Sequence, residues 1–369
     1  MTRFGLACGL SLALTACIAG APVAGVSEAI VGGTPDTTDT SVVLWYAQVP
    51  GAGTASICTA EVISPHVVVT AAHCVSPDSV PAGSTFAIMP LADFATAGNS
   101  NFMPVDETHF DPAFVNTIPA LQKQGHDIAV GIFNQPIGLA PLSYNHTSLG
   151  RSYLGKTARI VGYGVTKGGD PPDTSTAGVR RMGTAKVTAV NSVELKLVGA
   201  TDDDCEGDSG GPGFLNVAGK EVIAGITSIG NTDCVLSQGA TDTNVASYSA
   251  FLDQYVNAVD PPTMQGAIGE GCVTNRDCAS QICGNDGTSD SCMQACGGSD
   301  PGCPMGFYCG KIDGADFCLA GMQPVGSGCA IIGSGGERAS SSWIFVGFLL
   351  LLGLRQTLRK TRSGGRPYC

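Results

Sequence analysis

Residues 202–213 read DDDCEGDSGGPG, in which one serine, Ser209, lies among acidic residues and glycines. A serine hydroxyl is a weak nucleophile at neutral pH. It becomes a good one when a base, usually a histidine held by a third group, takes its proton. The stretch therefore indicates either a catalytic serine or an acidic, glycine-rich surface turn, and residues elsewhere in the chain must decide between them.

The pattern GDSGG fits more than one class of serine hydrolase, and the order of residues along the chain separates the classes. In α/β-hydrolases the serine lies in a G-x-S-x-G turn, and the acid and then the histidine follow it. All five histidines of this chain precede Ser209, at positions 66, 73, 109, 126 and 146. That order excludes the α/β-hydrolase interpretation and requires a base and an acid upstream of the serine.

Two upstream stretches supply those residues. VVVTAAHC places His73 after an apolar strand, and GHDIAVGIF places Asp127 at the start of another. A carboxylate buried at such a position needs a hydrogen-bonding partner, and Nδ1 of His73 can be that partner. His126 adjoins Asp127 but is a poor base, because successive side chains of an extended segment point to opposite faces.

Four motifs now occur in the order and approximate spacing of trypsin-like serine proteases. They are IVGG (30–33), TAAHC (70–74), DIAV (127–130) and GDSGGP (207–212). Residues 30–259 therefore resemble this family. The resemblance implies an all-β fold of two six-stranded antiparallel β-barrels with the site in the cleft between them. Many short β-rich runs separated by Gly, Pro, Asp and Thr agree with that fold class.

One helical pattern closes this region. In YSAFLDQYVNAV, residues 248–259, the apolar residues recur at three- and four-residue spacing and form one face. The pattern predicts a C-terminal helix. The members of the apolar face are Phe251, Leu252, Tyr255, Val256 and Val259.

The resemblance implies a role for each residue of the site. Ser209 is the nucleophile, His73 transfers the proton, and Asp127 holds the tautomer of the imidazole. The backbone amides of Gly207 and Ser209 form the oxyanion hole, where negative charge develops in the transition state. Ser228 supports the buried aspartate.

Specificity is also implied by the resemblance. Asp203 lies six residues before Ser209, at the position that sets the charge preference of the family's specificity pocket. A carboxylate there attracts Arg or Lys before the scissile bond, provided that Gly230 leaves the pocket open. The neighbouring Asp204 departs from the family's usual small residue, and two adjacent carboxylates either share a proton or place one of them toward solvent.

Activation in the family follows cleavage before the IVGG segment. The new amino group of Ile30 then pairs with Asp208, which orders the oxyanion hole. The residue before Ile30 is Ala29 rather than Arg or Lys, so activation by a trypsin-like enzyme is not indicated. Ser27 and Ala29 fit the small-residue rule of signal peptidase, which would expose Ile30 directly.

The chain has 16 cysteines, and nine lie between Cys272 and Cys329. Such density predicts disulfides and therefore export from the reducing cytosol. We call residues 272–329 the cysteine-rich module, with DPPTMQGAIGEG, residues 260–271, as a linker before it. Eight of its cysteines allow 105 pairings, among which the sequence does not choose. In residues 30–259 the family resemblance implies the pairs Cys58–Cys74 and Cys205–Cys234.

Both ends of the chain carry targeting patterns. Residues 1–29 are predicted to be a signal peptide and short pro-segment. In them LTAC resembles a bacterial lipobox, with lipidation at Cys17, and ordinary cleavage at one of several small residues up to Ala29 is the alternative. Residues 330–369 comprise a linker, an apolar run (Trp343–Leu354) and a basic tail, which resemble a myxobacterial sorting signal. The run is shorter than the ~20 residues of a typical span, so a short buried helix is the alternative.

These observations lead to one functional prediction and one alternative. A net charge of −12 argues against nucleic acid as a partner. The chain is predicted to be an exported serine endopeptidase, secreted or attached to a bacterial envelope, that cleaves proteins or peptides after Arg or Lys without a cofactor or metal. The alternative is a catalytically weak binding or adhesion protein that uses the cysteine-rich module, against which the complete set of Ser, His and Asp argues.

Overall fold

The computed structural model describes residues 30–51, 55–117, 125–168, 173–230, 233–297 and 302–321. The first part of the chain forms one antiparallel sheet in the order β6-β5-β2-β3-β4-β8-β7. This sheet curls into a half-barrel. Its strands are β2 (Val42–Gln48), β3 (Ala55–Ser64), β4 (Val67–Thr70), β5 (Thr85–Met89), β6 (Met103–Pro104), β7 (Glu107–Phe110) and β8 (Ala129–Ile132).

A second antiparallel sheet closes on itself, because β9 pairs with both β10 and β12. The strand order is β1-β10-β11-β14-β13-β12-β9, so six strands form a closed barrel and β1 extends its edge. The strands are β1 (Thr34–Pro35), β9 (Thr157–Gly162), β10 (Arg181–Val190), β11 (Glu194–Val198), β12 (Pro212–Val217), β13 (Lys220–Ile229) and β14 (Ala240–Asn244).

The apolar patterns of these strands explain where they pack. All four residues of β4 are buried, because its VVVT run lies inside the curled first sheet. In β10, burial alternates from Arg181 to Val187, which is the pattern of a strand with one face toward a barrel interior. The largest apolar cluster combines side chains from both sheets, including Trp45 and Ile226. The two sheets therefore share part of one core.

Helix α1 (Ser249–Val259) packs its apolar face on the first sheet. Leu252 and Val256 are fully buried, whereas Val259 at the end of the predicted face is exposed. The prediction of an all-β fold with a C-terminal helix is confirmed. Of the two six-stranded antiparallel barrels that were expected, the second is a closed six-stranded barrel, and the first is a seven-stranded sheet curled into a half-barrel.

The cysteine-rich module contains two short hairpins, β15 (Cys283–Asn285) with β16 (Asp290–Cys292), and β17 (Phe307–Ile312) with β18 (Ala315–Ala320). Four disulfides join its eight described cysteines, and Cys329 lies outside the described residues. The pairs are Cys272–Cys283, Cys278–Cys292, Cys296–Cys309 and Cys303–Cys318.

The predicted linker, residues 260–271, is hydrogen-bonded at several points. Asp260 accepts hydrogen bonds from the Ser64 hydroxyl at 2.7 Å and from the His66 amide at 2.9 Å, so it is bound to the turn between β3 and β4. Gly266 donates its amide to Asp277 and accepts from Ala279. The segment thus connects the half-barrel to the module through bonds at both of its ends.

Candidate active site

His73 and Asp127 are brought together at one edge of the half-barrel. A short 3₁₀ turn after β4 carries His73, and Asp127 lies two residues before β8, which pairs with β4. The His73 ring donates Nδ1–H to Oδ2 of Asp127 at 2.7 Å, and the His73 amide donates to Oδ1 at 2.9 Å. Two bonds to one carboxylate set both the ring orientation and its tautomer.

The environment of this pair favours a histidine that can take up a proton. Burial disfavours charge on the His73 ring, but the Asp127 carboxylate outweighs burial, and the pKa of His73 is raised. Asp127 is fully buried, and its Oδ2 also accepts a hydrogen bond from the Ser228 hydroxyl at 2.6 Å. The Thr243 hydroxyl donates to the Asp127 carbonyl at 2.9 Å. The carboxylate is therefore held from the second barrel as well as the first.

Ser209 lies in the turn before β12, and this turn contacts β3 of the first sheet. The Thr59 amide donates to the Ser209 carbonyl at 2.8 Å, and Sγ of Cys74, the residue after His73, lies 3.9 Å from the same oxygen. The turn thus places Ser209 beside the segment that carries His73. Gly207 has a φ of 96°, and a Cβ there would lie 2.8 Å from the Gly164 Cα, so glycine alone fits.

Asp208 is fully buried, and its side chain lies against Gly162 at the end of β9. It accepts hydrogen bonds from the amides of Gly164 at 2.8 Å, Cys205 at 2.9 Å and Ile30. Burial raises the pKa of Asp208, and the three amides partly offset that effect. Ile30 is fully buried, and its neighbour Val31 exchanges two backbone hydrogen bonds with Asp203. The segment that begins at Ile30 is therefore inserted beside the turn that carries Ser209.

Asp203 and Asp204 lie side by side, and both are almost fully buried. The Asp203 carboxylate accepts hydrogen bonds from four backbone amides, including those of Gly239 at 2.9 Å and Asp204 at 3.2 Å. Burial nevertheless raises the pKa of Asp203. Gly230 is exposed, and a Cβ there would meet only the Asp204 carbonyl, at 4.0 Å, among the described residues. The space next to Gly230 is open.

Residues 30–252 match the family model described as Trypsin. This match spans both sheets and the first four residues of α1. The chain belongs to the trypsin family. Membership supports a serine protease activity for the site just described, and it makes proteins or peptides the substrates.

In this trypsin-family chain, two disulfides flank the site. Cys58 is bonded to Cys74, which follows His73, and Cys205 is bonded to Cys234, four residues after Gly230. Each bond joins a segment that carries a site residue to a neighbouring segment, so the loops of the cleft are restrained.

The described cysteines of this protease do not offer a metal site. Three clusters of Cys and His have potential ligand atoms within 4.8 Å of one another, including Cys58, His73 and Cys74. Every cysteine in these clusters is in a disulfide. A metal-bound cysteine is a thiolate, so these sulfur atoms are not available as ligands.

Sequence reasoning missed two buried acids beneath the site. Asp242, on β14, and Glu61, on β3, are fully buried, and neither carboxylate has a hydrogen-bond partner among the described residues. Burial, together with the charge of Asp242, raises the pKa of Glu61 well above its ordinary value, and the same two causes act on Asp204. An acid inside the strand sequence ATDTN was the available signal, because a charge on a buried face needs an explanation.

A buried cation that joins the two sheets was also missed. Arg180 pairs with Asp36 at 3.1 Å and donates to the Val42 carbonyl at 2.9 Å and to the Tyr163 hydroxyl at 3.0 Å. Its sequence context, GVRRM, contains two adjacent arginines, both of which are buried, and does not show which of them pairs with Asp36. The bond to the Val42 carbonyl links Arg180, just before β10, with the start of β2.

Within the described residues, no helix combines the length and the hydropathy that a membrane crossing requires. The apolar run Trp343–Leu354, the candidate lipidation site Cys17 and the predicted signal peptide all lie outside the described residues.

Proposed function

We propose that this trypsin-family protein is an exported endopeptidase that cleaves after Arg or Lys, with Ser209, His73 and Asp127 as its catalytic triad. The observation that carries the proposal is the 2.7 Å hydrogen bond from the His73 ring to a buried carboxylate. That carboxylate is held in turn by Ser228 at 2.6 Å. A neutral imidazole oriented in this way presents Nε2 as the base that a serine requires.

The proposed reaction has two halves, acylation of Ser209 and hydrolysis of the acyl-enzyme, and each half uses all of these groups. Nε2 of His73 takes the hydroxyl proton as Ser209 attacks the scissile carbonyl, and Asp127 stabilises the imidazolium that forms. The amides of Gly207 and Ser209 donate to the carbonyl oxygen as it becomes negative. His73 then gives its proton to the leaving amine, and water repeats the sequence on the acyl-enzyme to regenerate Ser209.

Activation is proposed to depend on the amino group of Ile30. The Ile30 amide already donates to Asp208 before any cleavage at Ile30. Cleavage before Ile30 would turn this amide nitrogen into a charged amine, which pairs with the carboxylate and counters the effect of burial on its pKa. Signal peptidase cleavage after Ala29 would make the amine directly.

Preference for Arg or Lys is proposed to come from Asp203. Its four amide hydrogen bonds stabilise the charged form of the carboxylate, although burial opposes it. The exposed Gly230 leaves room for a long side chain to approach. Asp204 adds a second acid, and burial together with the charges of the neighbouring Asp242, Asp208 and Asp203 raises its pKa well above the ordinary value, which favours its neutral form.

Export follows from the disulfides, since six are present among the described residues and such bonds persist in oxidising compartments. We propose a bacterial host, a signal peptide within residues 1–29 and attachment to the envelope through residues 330–369. Chains that lack residues 330–369 should then be recovered from the medium rather than from the envelope fraction.

Labelling with a fluorophosphonate tests the catalytic proposal. The mature protein should be labelled once, on the species whose N-terminus is Ile30, and Ser209→Ala should remove the label. Ser84→Ala, at a partly exposed serine whose hydroxyl donates to the Pro81 carbonyl, is the matched control and should leave labelling unchanged. Labelling that survives Ser209→Ala would contradict the assignment of the nucleophile, and no labelling of the mature protein would contradict the catalytic proposal and leave the binding-protein alternative.

A further inference from the structure

The turn that carries Ser209 is joined to the first sheet through Thr59, which lies in β3 and is fully buried. The Thr59 hydroxyl donates a hydrogen bond to the Gly207 carbonyl at 3.0 Å and accepts one from the Tyr163 amide at 3.2 Å. The Thr59 amide donates to the Ser209 carbonyl at 2.8 Å. One residue of the first sheet is therefore bonded to the residues immediately before and after Asp208.

Backbone amides hold three of the four carbonyls of residues 206–209. The pairs, with the donor first, are Val165 to Glu206 at 2.7 Å, Thr59 to Ser209 at 2.8 Å and Gly211 to Asp208 at 2.8 Å. The fourth carbonyl, that of Gly207, accepts from the Thr59 hydroxyl. The bond to Gly207 can therefore be removed by changing a side chain, while the backbone bonds of the turn remain.

The Gly207 carbonyl belongs to the peptide unit between the two proposed oxyanion donors. A peptide unit is planar, so bonds to its carbonyl and its N–H fix the direction of the whole unit. At the other end of this unit, the Asp208 amide donates to the Cys205 carbonyl at 3.1 Å. The donor amide of Gly207 lies in the preceding unit, and the donor amide of Ser209 lies in the following one. Rotation of the unit between them would change the angle between the two donors, and the Thr59 hydroxyl opposes that rotation.

The neighbours of Thr59 fix the direction of its hydroxyl. A threonine side chain has one O–H to donate, and its oxygen already accepts from the Tyr163 amide, so the proton is directed at Gly207. Branching at Cβ further restricts the side chain to few rotamers. The Thr59 carbonyl accepts from the Thr70 hydroxyl at 2.8 Å, and Thr70 ends β4, three residues before His73. The same residue thus connects the turn of the nucleophile with the segment of the base.

We propose that Thr59 is a positioning residue of the catalytic reaction. Its hydroxyl holds the peptide unit between Gly207 and Asp208 so that the amides of Gly207 and Ser209 both point at the oxygen of the scissile carbonyl. The inference rests on the proposed peptidase function. The two amides act most strongly when that oxygen becomes negative, because preorganised donors stabilise developing charge. Loss of the hydroxyl should therefore lower kcat and leave KM nearly unchanged.

The first measurement compares Thr59→Val and Thr59→Ser in the cleavage of an internally quenched peptide with Arg before the scissile bond. Valine has nearly the shape of threonine but no hydroxyl. For Thr59→Val, kcat should fall at least about tenfold, because misplaced donors lose much of their effect, while KM stays within about threefold of the wild type. Serine keeps the hydroxyl, so Thr59→Ser should recover most of the wild-type kcat.

Two inhibitors distinguish positioning from general damage to the fold. The Ser209 hydroxyl adds across the C=O bond of a peptide that ends in an arginine aldehyde, and the oxygen of the tetrahedral adduct faces the two donor amides. The same peptide ending in the corresponding alcohol has no C=O bond and forms no adduct. For Thr59→Val, the inhibition constant of the aldehyde should rise by about the factor by which kcat falls, and that of the alcohol should not change. The ratio of the two constants does not depend on the folded fraction, so it remains measurable if the variant is less stable.

Ser41→Ala is the matched control for the loss of a buried hydroxyl. Ser41 is 5 % exposed, and its hydroxyl donates at 2.6 Å to the carbonyl of Ala140, outside the turn that carries Ser209. Ser41→Ala should lower the midpoint of urea unfolding, since a buried carbonyl loses its donor. Its kcat and its ratio of aldehyde to alcohol inhibition constants should remain those of the wild type.

Failure of the wild type to cleave the peptide would count against the peptidase function itself. With the wild type active, three results would overturn the inference about Thr59. One is a kcat of Thr59→Val within about threefold of the wild type. The second is an equal rise of both inhibition constants in that variant, since this pattern marks general damage to the site. The third is a Thr59→Ser variant as slow as Thr59→Val, because the hydroxyl would then not be the group that acts.

Discussion

The barrels and the cysteine-rich module lie in one compact unit, yet different forces stabilise them. The barrels bury continuous apolar clusters and contain two disulfides. The described part of the module has four disulfides and a small apolar cluster around Met293 and Phe317, which Ala218 of the second barrel completes. A region that cannot bury enough apolar area by itself thus depends on crosslinks and on its neighbour.

The neighbour in question is the tight hairpin turn between β12 and β13. Ala218 and Gly219 both have positive φ, as a two-residue turn between right-twisted strands requires. The Ala218 carbonyl accepts from the Asn285 amide at 2.7 Å, and the Gly219 amide donates to Asp313 at 2.9 Å. The module therefore docks through backbone groups of the turn, and a change of turn sequence would alter the docking.

Removing one disulfide from the cysteine-rich module should cause the largest loss of stability in that region. The double variant Cys303→Ser, Cys318→Ser lacks the disulfide between two residues that are 15 positions apart. Its loss should lower the free energy of unfolding of the module by about 3 kcal/mol. Hydrogen exchange read by mass spectrometry should show faster exchange across residues 302–321. Residues 30–259 should keep their protection, and fluorophosphonate labelling should be unchanged.

The control for that experiment is Met305→Ser, a fully exposed residue between the same cysteines, which should leave exchange as it is. Full protection of the module in the double variant would show that burial and docking suffice. Loss of protection in the barrels as well would show that the two regions unfold together.

The buried acids should make the barrels, rather than the module, sensitive to pH. Burial raises the pKa of Asp242 from 3.8 to about 8. In the folded state the group stays protonated between these values, whereas in the unfolded state it ionises. The contribution of Asp242 to the free energy of unfolding is therefore complete below pH 3.8. It is lost as the pH rises toward 8, by up to about 1.4 kcal/mol per pH unit.

Urea unfolding between pH 5 and pH 8 measures this effect. Asp242→Asn should flatten the decline of the free energy of unfolding across that range, whereas Asp78→Asn, an exposed acid of the first barrel, should follow the wild type. Equal slopes in all three proteins would contradict the raised pKa of Asp242.

The smallest effect is expected at the interface between the two regions. Lys220 donates to Asp290 at 2.8 Å and to the Val273 carbonyl at 2.7 Å. Lys220→Met should weaken docking by about 0.2–1 kcal/mol, the usual range for a partly exposed ion pair. Exchange in β16 should quicken slightly. Lys311→Met, which breaks an exposed pair with Asp316 inside the module, should leave β16 unaffected.

Much of the fold could be predicted from short patterns. Val-rich runs such as residues 67–70 become buried strands, and the spacing of Leu252 and Val256 becomes the buried face of a helix. The proximity of His73 and Asp127 was also expected, because a buried carboxylate needs a donor. Each of these inferences uses neighbours along the chain or a pairing that local chemistry demands.

The features that were missed depend on contacts between distant segments. Glu61 and Asp242 come from different sheets. Only the folded structure shows that both carboxylates are buried and have no hydrogen-bond partner among the described residues. Arg180 resembles its neighbour Arg181 in sequence, and its pairing with Asp36 arises where the two sheets meet. The pairing of residues 92–94 with residues 178–180 was missed for the same reason, since the two segments are far apart in the sequence.

The sequence by itself determined the chemistry of this protein: its strands, the trypsin-family motifs in their order, and the density of cysteines that requires an oxidising compartment. These properties depend on residue type and local spacing. Only the tertiary structure decided which of 105 pairings the module adopts, where the module docks, and that a mostly apolar cavity, lined in part by Phe94, lies beside Gly207. Those outcomes depend on three-dimensional packing between segments that are far apart in sequence.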